Sequence, residues 1–358
     1  MSSTEMLGLD DAALNLADVA DGARRRLDPV HWDFFAGGAG DERTLRANEE
    51  AFGRCWVLPR ILRGVPVRDL RISLLGSRLS MPVLIAPTAF HRLAHCEGEV
   101  ATARAAAEAG TIMVVSMAAT RSVEEIAAAG GPLWFQLYPQ SDLGFTSALV
   151  RRAEAAGCRA LVVTVDSPVF GRRERDLRHR FVDLPPGLAC ENMRDPSGRL
   201  RDIEMDAGLD WERIAWLREL TTLPILLKGV LHPADARLAV AHGVDGVVVS
   251  NHGGRQLDGV VATLDALPGI VAAVEGRLPV LLDGGIRRGT DVLVALALGA
   301  SAVLVGRPVL WGLAVGGVAG VRHVLDLLRA DLDRALALAG AAGPGDLSGD
   351  LVATAASG

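Results

Sequence analysis

Residues 234–250 read ADARLAVAHGVDGVVVS, and the order of their parts decides the fold. An alanine-rich amphipathic stretch ends at Gly243, and within a few residues Gly246 leads into Val247-Val248-Val249. A glycine after the last helical residue supplies a left-handed cap. Three valines with no polar alternation suit a strand covered on both faces. The same order recurs in ATARAAAEAG before TIMVVS, VRRAEAAGCRA before LVVTV, and DVLVALALGAS before AVLVG. Helix-to-strand alternation of this kind marks a parallel sheet.

Working outward, short apolar runs fall at 83–86, 112–115, 133–137, 160–165, 225–228, 245–250, 279–282 and 302–305, eight in all. Eight βα units point to an α/β fold of the closed (β/α)8 TIM barrel type; periodicity alone also allows a doubly wound sheet with extra strands. The barrel is expected over about 80–312, within a single domain spanning 1–358. Residues 1–75 read as a helical preface with a glycine-rich turn, Phe35-Ala36-Gly37-Gly38-Ala39-Gly40, and 314–341 as closing helices. The one long connection, 167–208 after the fourth run, is charged (RRERDLRHR) and carries a Pro-Pro-Gly turn. Long loops in compact domains tend to be lids or mobile functional segments.

Composition narrows the function. Half of the 358 residues are hydrophobic and 40 are glycine, which allows a large core of closely packed helices and strands. A net charge of −6, from 37 basic and 43 acidic residues, argues against a nucleic-acid surface. Cys55, Cys96, Cys158 and Cys190 are scattered without metal-like spacing, as expected for reduced thiols in a cytoplasmic protein that binds no metal. The N-terminal MSSTEMLGLDD has no basic and apolar signal pattern, and no stretch reads as a membrane span.

In an α/β barrel the active site gathers at the C-terminal ends of the strands. Here those ends are polar or expose backbone: Pro87-Thr88-Ala89, Ser116, Gln136 with Tyr138, Thr164 with Asp166, Lys228, Ser250-Asn251-His252, Asp283-Gly284-Gly285, and Gly306-Arg307. Lys228 closes the apolar run ILLK, where an ammonium needs a negative partner: an internal salt bridge, or an electron-rich ligand that becomes anionic. LLDGGIRRG followed by LVGRP brings glycines, a helix N-terminus, Arg287 and Arg307 to the last two strands, where such barrels hold phosphate. A phosphorylated cofactor is implied. His252 with Arg255, and Asp166 with Arg173 in TVDSPVFGRR, suit a carboxylate-bearing substrate beside a proton acceptor whose other nitrogen is fixed by a carboxylate. His91 and His95, four apart without a third ligand, read as packing or capping groups, and His242 as a helix C-terminal cap.

Taken together, SNHGGRQLDG, APTAFHRLAH, FQLY, TVDSPVFGRR, LLKGV, LLDGGIRRGTDV and VGRP resemble the FMN-dependent 2-hydroxy-acid oxidase and dehydrogenase family, in one order from about residue 10 to 345. The resemblance implies that FMN is the cofactor and a small 2-hydroxy acid the substrate. It implies that His252 removes a proton with Asp166 as its partner, that Arg173 and Arg255 hold the substrate carboxylate, and that Tyr138 hydrogen-bonds to the substrate. Lys228 would face the N1/O2 edge of the flavin and stabilise its reduced, anionic form. Pro87, Thr88, Ala89, Ser116, Gln136, Thr164 and Ser250 would lie against the isoalloxazine or ribityl, and Asp283, Gly284, Gly285, Arg287, Gly306 and Arg307 against the ribityl and phosphate. It also implies a homo-oligomer, tetramer or octamer.

Two positions depart from the glycolate-type pattern. Phe34 stands where that pattern has tyrosine, and Ala118 where it has tryptophan. The first change removes a hydroxyl and the second opens volume, while Phe90 and Phe170 can add apolar wall. The expected substrate is an aryl (S)-2-hydroxy acid such as mandelate or 4-hydroxymandelate; branched or small aliphatic acids stay open, because an apolar pocket discriminates weakly among apolar groups. Oxygen, giving hydrogen peroxide, is the expected electron acceptor, with a quinone as the alternative. An FMN barrel isomerase or a flavin-binding protein without catalysis are rivals from other classes; the first has less reason for the paired arginines and the Asp-His set, and the second for His252, Arg173, Arg255 and Tyr138 together.

Overall fold

A computed structural model describes residues 13–354. The stretch read for a signal sequence, 1–11, lies outside the described residues. The chain opens with three helices, α1 (Leu16–Arg26), α2 (Pro29–Ala36) and α3 (Arg43–Gly53), a strand β1 (Cys55–Val57), and a hairpin of β2 (Ile72–Leu74) and β3 (Ser77–Leu79). The barrel follows: β4 (Val83–Ile85), α4 (Glu99–Ala109), β5 (Met113–Val115), α5 (Val123–Ala127), β6 (Leu133–Leu137), α6 (Leu143–Ala155) and β7 (Leu161–Thr164). After β7 come α7 (Glu174–His179), α8 (Trp211–Leu220), β8 (Ile225–Val230), α9 (Pro233–Ala241), β9 (Gly246–Val249) and α10 (Thr263–Val274). The chain closes with β10 (Val280–Asp283), α11 (Gly289–Ala297), β11 (Ala302–Val305), α12 (Arg307–Ala339) and β12 (Val352–Thr354).

The eight expected runs are the eight strands β4 to β11. All pair in parallel in chain order, and β11 returns to β4 with Val303 against Val83. Although every strand is apolar, its residues alternate between two cores. Leu84, Val114, Trp134, Val162, Leu226, Val248, Leu281 and Leu304 fill the barrel, whereas Val83, Ile85, Val115, Phe135, Val163, Val247 and Val249 pack outward on the helices. Leu74 and Leu79 of the hairpin share the inner cluster and so stop the N-terminal end of the barrel. The opposite end is left for the site.

Three expectations need correction. The preface is not wholly helical, since it contains β1 and the β2–β3 hairpin, and β1 pairs antiparallel with β12 at the far end of the chain. The closing helix starts at Arg307, directly after β11, and runs for 33 residues with non-helical angles at Gly316 and Gly317; the boundary expected at 314 is this kink. The same helix is long and apolar enough to cross a membrane by length and composition, contrary to the sequence reading. About three-fifths of that apolar window is buried (61%), and α12 packs on α1, α4 and α11 as a core helix does.

Candidate active site

At the C-terminal end of the barrel lies a cavity of about 900 Å³, within the range of pockets that hold cofactors and small ligands. Its wall includes Pro87, Thr88, Ala89, Ser116, Tyr138, Arg173, Lys228, His252 and Arg255, together with Asp283, Gly284, Gly285, Arg287, Gly306 and Arg307. Phe34, Ala118, Phe90 and Phe170 also line it. Asp166, Gln136, Thr164 and Ser250 stand one layer behind and hold the wall. Gln136 accepts from Ser116 Oγ (3.3 Å) and donates to Thr164 Oγ1 (3.1 Å), while Ser250 Oγ accepts from Lys228 Nζ (3.1 Å).

The histidine of the β9 turn occupies left-handed backbone space, with φ 58°. Such a conformation is costly for a side-chain-bearing residue and persists where surrounding contacts enforce it. Here its backbone N–H donates to Ser250 Oγ (3.0 Å), and Nδ1 meets Asp166 Oδ1 at 3.0 Å. On the other side of the ring, Nε2 lies 3.4 Å from the hydroxyl of Tyr138, the one tyrosine in the chain. Burial depresses the His252 pKa; Asp166 pulls it back only in part, while Lys228 and Arg255 push it down. Burial acts to raise the Asp166 carboxyl, yet the facing His252 and Lys228 outweigh it and hold it below the usual carboxylate value. The pair is therefore a neutral imidazole oriented by a carboxylate, which is a proton acceptor.

The two glycines after His252 have separate reasons. A side chain at Gly253 would put Cβ 2.8 Å from Arg307 Nη1, and one at Gly254 would strike Leu45 N at 2.6 Å. Close approach lets the barrel arginines reach the preface. Arg255 Nη1 donates to Phe34 O (2.7 Å) and Gly37 O (2.9 Å), and Arg307 donates to Phe35 O (3.1 Å) and Gly37 O (2.9 Å). These carbonyls end α2, where helix acceptors lack partners and the dipole favours cations. Both guanidiniums are partly buried and pushed below their ordinary pKa, Arg255 by desolvation and then by Arg173, Arg307 to about 10 by desolvation and then by Arg287. An anion entering the cavity would relieve that repulsion. Arg173 pairs with Asp176 at 3.2 Å, and both Arg173 and Arg255 lie over the Phe34 ring, 5.4 and 5.1 Å from its centroid.

A profile described as FMN-dependent dehydrogenase matches residues 23–354, nearly the whole chain. The chain belongs to this family. An L-lactate oxidase from Nostoc sp. is 52% identical over 345 residues, covering 91% of this chain and 94% of the relative. A glycolate oxidase from Spinacia oleracea is 50% identical over 331 residues, 89% of either chain. A mandelate oxidase variant solved with (S)-mandelic acid superposes with a TM-score of 0.90 at 46% identity, covering 96% of this chain and 99% of that one. Membership makes the protein an FMN-dependent oxidoreductase of the 2-hydroxy-acid oxidase type.

The donor set fits the family's cofactor. Lys228 Nζ lies 3.3 Å from Asp283 Oδ2, with both side chains under a tenth exposed, while Asp283 Oδ1 is buried on the cavity wall without a hydrogen-bond partner. A lone buried carboxylate oxygen calls for a donor, which a ribityl hydroxyl provides. The salt-bridge and ligand readings of Lys228 thus hold together, because the pair still faces the cavity. Arg307 opens α12 and Arg287 precedes α11, so guanidinium groups and helix N-termini converge where a phosphate would lie. Arg287 is meanwhile held by Glu49 (2.7 Å) and lies 5.0 Å from the Trp311 ring centroid.

Of the residues read as structural, His91 is fully buried between two threonine hydroxyls, and His242 caps α9 and stacks on Trp211. Several supporting roles were missed, including that of Asn251, which the strand ends had already singled out. Asp258, in the same turn as His252, caps α3 by accepting from the backbone N–H of Asp41 (3.0 Å) and Thr44 (2.8 Å). Gln256 anchors the loop after β7 through Gly171 N (3.0 Å) and Val169 O (2.9 Å). Asn48 and Asn251 exchange amide hydrogen bonds of 2.8 Å. The polar run SNHGGRQLDG carried three of these signals. Asn48 has none of its own within a helix.

Proposed function

We propose that this enzyme oxidises an aryl (S)-2-hydroxy acid, of the mandelate kind, to the 2-oxo acid, with O2 as acceptor and hydrogen peroxide as co-product. The observation carrying the aryl reading is the aromatic wall. Phe34 stacks on Phe90 with centroids 5.2 Å apart and meets Phe181 at 5.1 Å, and the small Ala118 lines the same cavity. Aromatic rings favour offset or edge contacts with a further ring, and alanine leaves room for one.

In this reading Arg173 and Arg255 bind the substrate carboxylate, Arg173 exchanging its contact with Asp176 for it. With Nδ1–H donated to Asp166, the Nε2 lone pair of His252 points to the substrate side and takes the hydroxyl proton. Tyr138 keeps its proton, because burial raises its pKa, and donates a hydrogen bond to the substrate oxygen. When bound, FMN supplies the acceptor for the C2 hydrogen and its two electrons. Lys228 and Ser250 would support the cofactor from one side, with Thr88, Ala89, Ser116, Gln136 and Thr164 along its ring and Asp283, Arg287 and Arg307 along its tail. The aromatic wall would shield the substrate side chain from water.

The test is anaerobic mixing of the purified flavoprotein with (S)-mandelate, L-lactate and glycolate in turn, following bleaching of the flavin band. Faster reduction per molar substrate by mandelate supports the aryl reading. A clear preference for lactate or glycolate, the acids for which two of the relatives are named, removes it.

A further inference from the structure

A second buried polar cluster lies behind this machinery and meets it at Thr88. Glu99 opens α4, is completely buried, and accepts from the backbone N–H of His91 (3.0 Å), the backbone N–H of Thr120 (2.8 Å) and the Thr120 hydroxyl (2.8 Å). Thr120 Oγ1 in turn accepts from Arg92 N at 3.2 Å. The His91 ring, kept neutral because burial lowers its pKa, bridges Thr88 Oγ1 (2.7 Å) and Thr102 Oγ1 (3.0 Å).

The donors to Glu99 come from two different loops. His91 follows β4, and Thr120 follows β5. Between β4 and His91 lie Thr88, Ala89 and Phe90; between β5 and Thr120 lie Ser116 and Ala118, and all five line the cavity. Phe90 sits at φ 65° and ψ 41°, left-handed space that a bulky residue holds only when its neighbours over-determine it. The very next peptide is the one whose N–H is bound by Glu99. That anchor directs the Phe90 ring onto Phe34, 5.2 Å away at 19°.

We propose that Glu99 is a positioning residue for substrate selectivity: by tying the two loops together it sets the gap between Phe90 and Ala118 without touching the substrate. The proposal rests on the reading that the substrate side chain lies beside Phe34 and Ala118. Loss of the carboxylate leaves two buried N–H groups in search of acceptors, and the left-handed turn at Phe90 relaxes first because it is the strained element.

Two variants test it in the FMN-loaded enzyme, Glu99→Leu, which removes the acceptor shared by the two loop N–H groups, and Glu99→Asp, which keeps the charge but withdraws it by one methylene, by kcat/KM for mandelate and lactate, bound flavin and Tm. We expect the mandelate-to-lactate ratio to shift about tenfold, the scale of a small change in pocket fit. The acid limb of the pH profile should stay as in the native enzyme, since His252 and Asp166 are untouched, and rates are taken per bound flavin because Thr88, Ala89 and Ser116 lie on the same two loops. A purely structural role lowers Tm and scales both substrates alike; a ratio unchanged within about twofold in Glu99→Asp overturns the proposal if Glu99→Leu is also unchanged or does not fold. The native ratio, measured first, reports separately on the aryl reading. If it favours lactate, that reading fails, while a shift in the variants in either direction still supports Glu99.

Discussion

Nδ1 of His252 and Oδ1 of Asp166 are 3.0 Å apart, and the second carboxylate oxygen of Asp166 is buried without a partner. All of the aspartate's orienting capacity is thus committed to one edge of the imidazole and to Ser167, which donates to Oδ1 at 2.9 Å. The opposite nitrogen is left to face Tyr138 and the cavity. Replacing His252 by Asn should keep FMN bound and slow flavin reduction by about 10²–10⁴. Stopped-flow reduction under anaerobic conditions measures this, and native-like reduction would take His252 out of the chemistry.

The same pair sets a pH dependence. Because burial, Lys228 and Arg255 leave His252 below its ordinary 6.5, the reactive neutral form is already present in mildly acid solution. In the free enzyme kcat/KM should therefore rise through a pKa below 6.5 and level off near neutrality. Asp166 is the group pulling that pKa up, so in Asp166→Asn the acid limb should move to lower pH while the plateau falls. A limb that moves to higher pH contradicts the assignment.

Arg255 has two tasks, the α2 carbonyls and the proposed carboxylate. Lysine retains the charge but loses the fork that reaches Phe34 O and Gly37 O together. Arg255→Lys should raise KM by about 10-fold to 100-fold, in line with loss of a charge-assisted hydrogen bond. It should also weaken inhibition by unreactive carboxylates to the same degree. Steady-state kinetics with a competitive 2-oxo acid separates this from a general loss of activity, in which kcat alone would fall.

Volume at Ala118 should decide side-chain size. Ala118→Trp fills part of the cavity that Phe34 also lines and is expected to cut kcat/KM for mandelate by about 100-fold while sparing glycolate. Parallel losses on both acids would place the aryl group elsewhere in the cavity.

Gly253 combines φ 63° with an approach of 2.8 Å between a would-be Cβ and Arg307 Nη1. Gly253→Ala should cost about 1–3 kcal/mol of stability and weaken FMN binding by displacing Arg307. Thermal unfolding and a fluorescence titration of the apoprotein with FMN check the two effects; unchanged FMN affinity would show that the guanidinium finds another path.

The barrel was legible because each strand is largely apolar and gives way at its C-terminal side to polar or backbone-exposing residues, so that Ser250, His252 and Asp283 announced both the strand end and the site, whereas Lys228 lies inside β8, which runs on to Val230. The remainder was hidden for definable reasons. The β2–β3 turn is Leu75-Gly76, with φ 42° and 75°; leucine in left-handed space is not a turn signal that a sequence displays. β1 and β12 are three-residue strands whose partners stand at opposite ends of the chain, as Trp56 with Ala353. Gly316-Gly317 kinks one continuous helix, which on paper looks like a boundary between two. Asp176 and Phe181 were passed over because their value lies only in what the folded loop sets beside them, Arg173 in one case and Phe34 in the other.

The joints between preface and barrel fix the order in which this enzyme can be assembled. Arg255 to Phe34 spans 221 residues of sequence, Arg307 to Phe35 spans 272, and Asn48 to Asn251 spans 203. On the ribosome α2 and α3 emerge first, yet their partners are made only when the last third of the chain is translated. Contacts this distant in sequence close late and slow folding. The mouth of the barrel is thus the last part to be finished, and a nascent chain stalled before Arg307 holds all eight barrel strands but no closed active site.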